Sequence, residues 1–305
     1  VTDAMPGAAS AGAAELLAVG ETMAMLAPFT GNLVTAEGFR LDAGGAESNV
    51  AAHVAALGHR AAWFSRLGDD ALGRRVAAQL AARGVDVSSV VGDPAHPTGL
   101  YVKDPGNGVR YYRAGSAASH LTAADADSVD LVGVRVLHVS GITAAISASA
   151  AGFLSRIIDR AHPAGVLVSF DVNHRAALWD LDTAAAALAA LVRRADLVFT
   201  GRDEAEHLWG TGTAAAVRAL FPDVGELVVK DGAVGATTFS AGREDVEPAH
   251  VVDVVDAVGA GDAFAGGYLA ALLAGADIPE RLRAGHRRAA LTLLTTGDSI
   301  DEKAL

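Results

Sequence analysis

Asp262 stands at the head of a glycine turn, in the run Asp256-Ala257-Val258-Gly259-Ala260-Gly261-Asp262-Ala263-Phe264. The segment Val251–Val255 before it reads as a strand, and Phe264–Leu273 after it as a helix. A turn between the two aims free backbone N–H groups, and the positive end of the helix dipole, at one point in space. An anion belongs there. A fixed carboxylate beside a bound phosphate would repel it, so Asp262 needs a reason. The reason offered by the spacing is phosphoryl transfer. Asp262 takes the proton of an attacking hydroxyl, while the N–H groups of Ala260, Gly261 and Asp262, on a turn made by Gly259, hold the group being transferred. The bland alternative is an ordinary helix start with an acidic first-turn residue.

Two other glycine motifs are excluded. A Walker loop requires G-x-x-x-x-G-K-[ST], a string the chain lacks. A dinucleotide fingerprint requires a third glycine or alanine where Phe264 stands, then a strand with an acidic end, whereas the remaining residues read mainly as two helices.

A second glycine motif, Asp42-Ala43-Gly44-Gly45-Ala46-Glu47-Ser48-Asn49, precedes a helix whose Val50, Val54 and Leu57 recur at helical spacing before Gly58 stops it. Paired glycines at that point let a ligand press against bare backbone. The pattern G-G-x-x-x-N-x-A…L-G here, with D-x-x-G-A-G-D-x-F about two hundred residues later, resembles the two signatures of the ribokinase-like (PfkB) carbohydrate kinases. The pair is far more specific than either half. Ala257 departs from the threonine usual in that family.

Length and composition fit such a kinase, and length alone would also permit two domains. The chain has 305 residues, 51% of them hydrophobic, enough to bury one extensive core. A net charge of −12 argues against a nucleic-acid surface, so phosphate must be attracted locally. With no cysteine, disulfides and thiolate metal sites are out, and the ten histidines show no H-E-x-x-H or similar spacing. No apolar run reaches membrane-spanning length. Residues 1–14 lack the features of a signal peptide and read as a loose tail before a kinase domain over 15–305, which makes cytoplasm the default location.

The elements that must position the motifs alternate. Leu16–Gly20, Ala61–Leu67, Val134–Ser140, Val166–Asp171, Asp196–Thr200 and Leu227–Lys230 read as buried strands. Asp70–Arg83, Ser147–His162, Thr183–Arg194 and Ala214–Leu220 read as helices between them. That order predicts an α/β fold, a parallel sheet with helices on both faces. Residues 22–41 and 98–114 break the alternation as antiparallel ribbons, the second turning at Asp104-Pro105-Gly106-Asn107-Gly108. The resemblance implies a ribokinase-like three-layer αβα sandwich. In it this small inserted sheet serves as a lid over the sugar and as a homodimer contact, keeping water from the nucleotide.

Arg113 ends the second ribbon, and Arg175 follows the strand ending at Asp171, the end of an open α/β sheet where ligands bind. Neutral sugars need no arginine, whereas carboxylates and phosphates match the guanidinium fork. A surface ion pair is the plain alternative for each. These strings, with the Gly44–Asn49 form of the first motif, are similar to the 2-keto-3-deoxygluconate kinase branch of the family. The resemblance implies that Gly44, Gly45, Asn49, Tyr101, Tyr111, Arg113 and Arg175 line a sugar-acid pocket ending at Asp262. Arg175 is equally placed to reach the nucleotide phosphates. By the same resemblance ATP lies against the Lys230-x-Gly232-x-x-Gly235 turn, with Asn173 and Thr200 to Glu204 beside its phosphates. Glu204, with Asp203 beside it, then approaches Mg²⁺ through water, and carbonyls at Asp256 and Val258 are candidates for K⁺. The implied reaction is phosphorylation of the terminal hydroxyl of 2-dehydro-3-deoxy-D-gluconate. Fructose, ribose or a nucleoside on the same fold is one alternative, and a non-catalytic sugar-binding protein is another.

Overall fold

A nine-stranded sheet carries the molecule, and its edges are built differently. The structure, a computed structural model, describes residues 13–294. In spatial order the strands are Arg243–Pro248, Gly235–Ser240, Glu226–Asp231, Leu197–Gly201, Leu167–Asp171, Val136–Ser140, Leu16–Val19, Ala61–Phe64 and Val85–Asp86. From Glu226–Asp231 to Val85–Asp86 every neighbour is parallel, and the first three strands form an antiparallel meander. Continuous apolar runs such as Leu16–Val19 suit strands covered on both faces. One face packs Phe153, Leu154, Ile157, Leu188 and Phe221 from helices Ala148–Ala161 and Leu181–Val192 and their neighbours. The other packs Val54, Leu80, Tyr268, Leu269 and Leu282 from helices Ala46–Ala56, Ala71–Ala82, Ala260–Leu273 and Ile278–Leu293. This is the three-layer sandwich the alternation predicts. Side-chain caps fix the helix starts: Asp70, Ser147 and Asp180 accept from the N–H groups of Gly73, Ala150 and Thr183 at 2.7, 3.0 and 2.9 Å.

The two ribbons meet in a separate four-stranded sheet, ordered Phe39–Gly44, Met23–Pro28, Leu100–Asp104, Gly108–Tyr112. The pairing of Met23–Pro28 with Leu100–Asp104 is parallel, which joins segments distant in sequence into one platform. The tail read over 1–14 lies outside the described residues except for Ala13 and Ala14.

Two strand readings are corrected. Ala61–Leu67 is not one strand: it leaves the main sheet after Phe64, and Arg66–Gly68 pairs instead with Val91–Asp93. The break turns Arg66 toward Asp93 and Asp125, which it meets at 3.2 and 2.7 Å. Val251–Val255 is not a strand at all. Arg243–Pro248 already closes that edge, and the valines run on as exposed chain, Val251 fully so, with the Val255 N–H held by the Leu293 carbonyl at 2.8 Å. β-Branched composition expresses strand propensity, but a strand also needs a partner.

Candidate active site

The glycine turn is present, and the helix after it begins earlier than the sequence suggests. The helix starts at Ala260, with Gly259 as N-cap in the left-handed region at φ 82°, a conformation that favours glycine. The Ala260 N–H keeps a long 3.4 Å contact to the Ala257 carbonyl, and the first-turn N–H groups of Gly261 and Asp262 have no acceptor within the helix. A Cβ built on Gly261 would meet only Lys230 Nζ, at 3.6 Å, so this glycine faces open cleft.

Gly266 and Gly267 set where that turn points. A Cβ on Gly266 would lie 2.5 Å from His53 Cβ, and one on Gly267 2.5 Å from the Ala284 carbonyl oxygen. Both glycines therefore let this helix lie close between Ala46–Ala56 and Ile278–Leu293. The close approach brings the two motifs together: Asn49 Nδ2 donates to Asp262 Oδ2 at 2.9 Å across 213 residues of sequence. Asp262 is half-buried at the cleft floor. Desolvation there pushes its carboxyl up to about 7. Asp171 adds to the rise, while the Asn49 hydrogen bond and the charges of Arg175 and Lys230 oppose it. A carboxylate poised near neutrality suits a general base.

Strand register assembles the next wall. Ser140 is level with Asp171, Asp171 with Phe199, and Gly201 with Lys230, so these residues share the carboxyl edge of the sheet. Lys230 reaches over the Phe199 ring and donates to Asp171 Oδ2 at 2.9 Å. Asn173, just beyond Asp171, sits at φ 43°, a left-handed position that asparagine tolerates better than most residues. Arg175 is exposed on the cleft and donates to the His174 carbonyl at 3.1 Å; it forms no ion pair among the described residues. Glu204 lies in the first turn of the helix Arg202–Trp209 and caps it. Its carboxyl accepts from the N–H groups of His174 and Gly201 at 2.6 and 3.1 Å and from Thr200 Oγ1 at 3.1 Å. Burial and the nearby Asp171 raise its pKa. With both oxygens occupied, Glu204 fits a metal only through water, whereas Asp203 presents its side chain at the cleft.

The small sheet forms the roof. Tyr101 and Tyr111 pack with ring centroids 5.9 Å apart, and the Arg113 guanidinium lies 5.8 Å from the Tyr111 ring. Arg113 is not free for a ligand's sole use: it is ion-paired with Glu21, whose side chain is 1% exposed and which also accepts from Ser116 Oγ. Below, Gly45 is glycine because a Cβ would press within 2.4 Å of the Glu21 carbonyl oxygen, a packing demand in addition to any ligand. Lys103 bridges the roof to Asp256 at 3.3 Å. Asp256 also accepts from the Val258 N–H at 3.0 Å, so protein donors occupy its carboxylate and leave the backbone carbonyls at Asp256 and Val258 as the candidates for K⁺.

These walls enclose a cleft of about 470 Å³ lined by Tyr101, Tyr111 and Arg113 of the roof and by Gly44, Gly45 and Asn49 below them. Asn173, Arg175, Glu204, Lys230, Val258, Gly259, Gly261 and Asp262 also line it. Ala260, Thr200, Asp256, Gly232 and Gly235 are not among its lining residues. Gly235 has another reason: at φ 146° a Cβ would lie 2.3 Å from the Glu247 carbonyl oxygen of the edge strand. Sequence reasoning missed Glu21, Lys103 and Asp171, which line the cleft or pair with residues that do. Asp171 stood beside Asn173 in a motif already in view; Glu21 and Lys103 gave no such signal.

The sequence pattern of the pfkB family carbohydrate kinases matches residues 13–304. The chain belongs to that family. Among pfkB relatives, a 2-dehydro-3-deoxygluconokinase of Bacillus subtilis is 37% identical over 92% of this chain and 89% of its own length. A 2-dehydro-3-deoxygalactonokinase of Haloferax volcanii is 35% identical over 93% of this chain and 92% of its own. The solved structure of a PfkB protein from Polaromonas sp. JS666 superposes with a TM-score of 0.85 at 36% identity, covering 95% of this chain and 98% of that one. The pfkB assignment gives the Asn49–Asp262 contact its meaning, since both members of the pair come from the two motifs that carry the resemblance.

Proposed function

We propose that this pfkB kinase transfers the γ-phosphoryl group of ATP to the terminal hydroxyl of 2-dehydro-3-deoxy-D-gluconate. The observation that carries the acceptor is the charge of the cleft. Lys230 and Arg113 are each matched by a protein carboxylate, and Arg175 alone among these cleft cations has no ion-pair partner among the described residues. An acidic acceptor supplies that partner, and the carboxylate-bearing substrates named for the relatives above agree with it. The acceptor lies under the Tyr101–Tyr111 roof with its acid end toward Arg175 and the far edge of Arg113. Its terminal hydroxyl is then at Asp262.

The hydroxyl loses its proton to the Asp262 carboxylate as it attacks. The N–H groups of Gly261 and Asp262 hold the equatorial oxygens of the transferring group. Asn173 is placed to steady the nucleotide phosphates. Asp203, and Glu204 through water, would hold a nucleotide-bound Mg²⁺, which would neutralise phosphate charge. Tyr112 of the small sheet, and Phe29 and Val34 in the loop that joins two of its strands, are exposed at 65, 69 and 90%, apolar side chains suited to a homodimer contact. No described helix is long and apolar enough to cross a membrane. A cytoplasmic location follows from the need for ATP.

An ADP-release assay over a panel of sugars tests the reading. The panel holds 2-dehydro-3-deoxygluconate, its galactonate epimer, fructose, ribose and a nucleoside. The gluconate acid should give the highest kcat/KM. Preference for fructose or ribose would overturn the acceptor and leave the kinase, and no ADP with any acceptor would favour a silent binding protein.

A further inference from the structure

Lys230 and Asp171 form an ion pair whose position the reaction so far leaves unused. Lys230 is the penultimate residue of the strand Glu226–Asp231, Asp171 ends Leu167–Asp171, and the strand Leu197–Gly201 lies between them. To meet Asp171 at 2.9 Å the lysine side chain must cross that middle strand, which it does 5.9 Å from the centroid of the Phe199 ring. The crossing leaves Nζ beneath the anion turn, 3.6 Å from where a Cβ on Gly261 would stand. Both residues line the cleft, but the Asp171 side chain is 6% exposed and that of Lys230 20%, so the carboxylate is the more buried end of the pair and the ammonium the more presented end. An ammonium fixed at that distance from the turn meets whatever anion the turn holds.

We propose that Lys230 is a catalytic residue of the phosphoryl transfer and that Asp171 is the residue that positions it. The inference rests on the kinase reading and not on the identity of the sugar. In the step, the acceptor oxygen forms a bond to the γ-phosphorus of the nucleoside triphosphate. The bond from that phosphorus to the β,γ-bridging oxygen breaks, its electron pair leaves with the diphosphate, and the hydroxyl proton goes to Asp262. Lys230 keeps its proton throughout. Burial works against its charge, but Asp171 and Glu204 outweigh burial and leave its pKa raised. It therefore acts as a fixed positive charge opposite the oxygens of the moving group. Asp171 prevents the ammonium from folding toward Asp262 and neutralising the base. Its own negative charge also helps hold the base near neutrality.

Four variants test this on whichever acceptor the parent phosphorylates. Lys230→Met should lower kcat by about 10²–10³ while acceptor KM stays within about threefold, the mark of an interaction made in the transition state. Lys230→Arg should recover part of that loss. Asp171→Asn should lower kcat and move the acid limb of its pH profile to lower pH, because Asp262 loses a negative neighbour and faces an unrestrained ammonium. The Asp171→Asn/Lys230→Met double variant removes the unpaired charge that would destabilise the single Asp171 variant. Its kcat should match that of Lys230→Met within about threefold, because a positioning residue has nothing left to position. Multiplying effects, or parental kcat in Lys230→Met, overturn the proposal. One readout needs no substrate: the Asp262 carboxyl, followed by ¹³C NMR, should titrate lower in Asp171→Asn than in the parent. An unmoved titration overturns the role of Asp171 even if the parent phosphorylates nothing in the panel, which keeps the two failures apart.

Discussion

Replacing Asp262 with asparagine should cripple the enzyme and stabilise the protein. Asparagine keeps an oxygen for the Asn49 Nδ2 donor, which now lies 2.9 Å from the carboxylate, but it cannot accept the proton. Turnover should fall by about 10²–10⁴, with nucleotide affinity largely kept. The stability gain follows from holding a carboxyl at about 7 when its ordinary value is 3.8. In a fully dry site the ionised form would be disfavoured by about 4 kcal/mol. Water in the open cleft screens part of that, so about 1–3 kcal/mol is expected. The folded chain binds this proton more tightly than the unfolded chain does. The penalty is therefore absent at low pH, grows from about 4 upward and is complete above about 7. Thermal melts of parent and variant should differ most near pH 8.5 and converge toward pH 4. In an ADP-release assay the parent's kcat/KM should rise with pH to a plateau through an inflection near 7, and the variant should lose that inflection. Near-parental turnover would refute the base. A variant no more stable at high pH would refute the desolvation argument.

Four further outcomes are expected. Gly261→Val should abolish turnover with little change in melting temperature, since its Cβ would meet only Lys230 Nζ, at 3.6 Å, yet would occupy the anion's place. An active variant would show that this turn does not hold the transferring group. Arg175→Ala should lower the preference for the sugar acid over fructose by about ten- to a hundredfold, the loss of one charge-assisted hydrogen bond. Arg113→Ala should hurt both sugars and the melting temperature alike, by about 3–5 kcal/mol of stability, because Glu21 is left buried and unpaired. An unchanged sugar ratio in Arg175→Ala would move that arginine to the nucleotide. Gly267→Ala should destabilise by about 1–3 kcal/mol in a denaturant melt, because its methyl group would meet the Ala284 carbonyl oxygen at 2.5 Å. Parental stability would show that the two helices can part without cost.

The sequence by itself determined the layers and the residues of the glycine turn. Alternating apolar runs and helical periods announce a parallel sheet between helices, because burial of each element leaves its period in the local sequence. Asp262 and the glycines around it were legible for the same reason: a turn, a helix start and a carboxylate are all consecutive residues. Strand partnership was not local. The valines of Val251–Val255 carry strand propensity and yet find no edge, while Ala61–Leu67 divides between two sheets because Arg66 has carboxylates to meet elsewhere. Only tertiary structure decided which charges neutralise one another. Arg113 looks like a ligand's arginine until Glu21, far from it in sequence, is seen beside it, and Lys230 gains its place from an aspartate two strands away. Long side chains reach across elements, so the electrostatics of a cleft belong to the packing of the whole chain rather than to any motif within it.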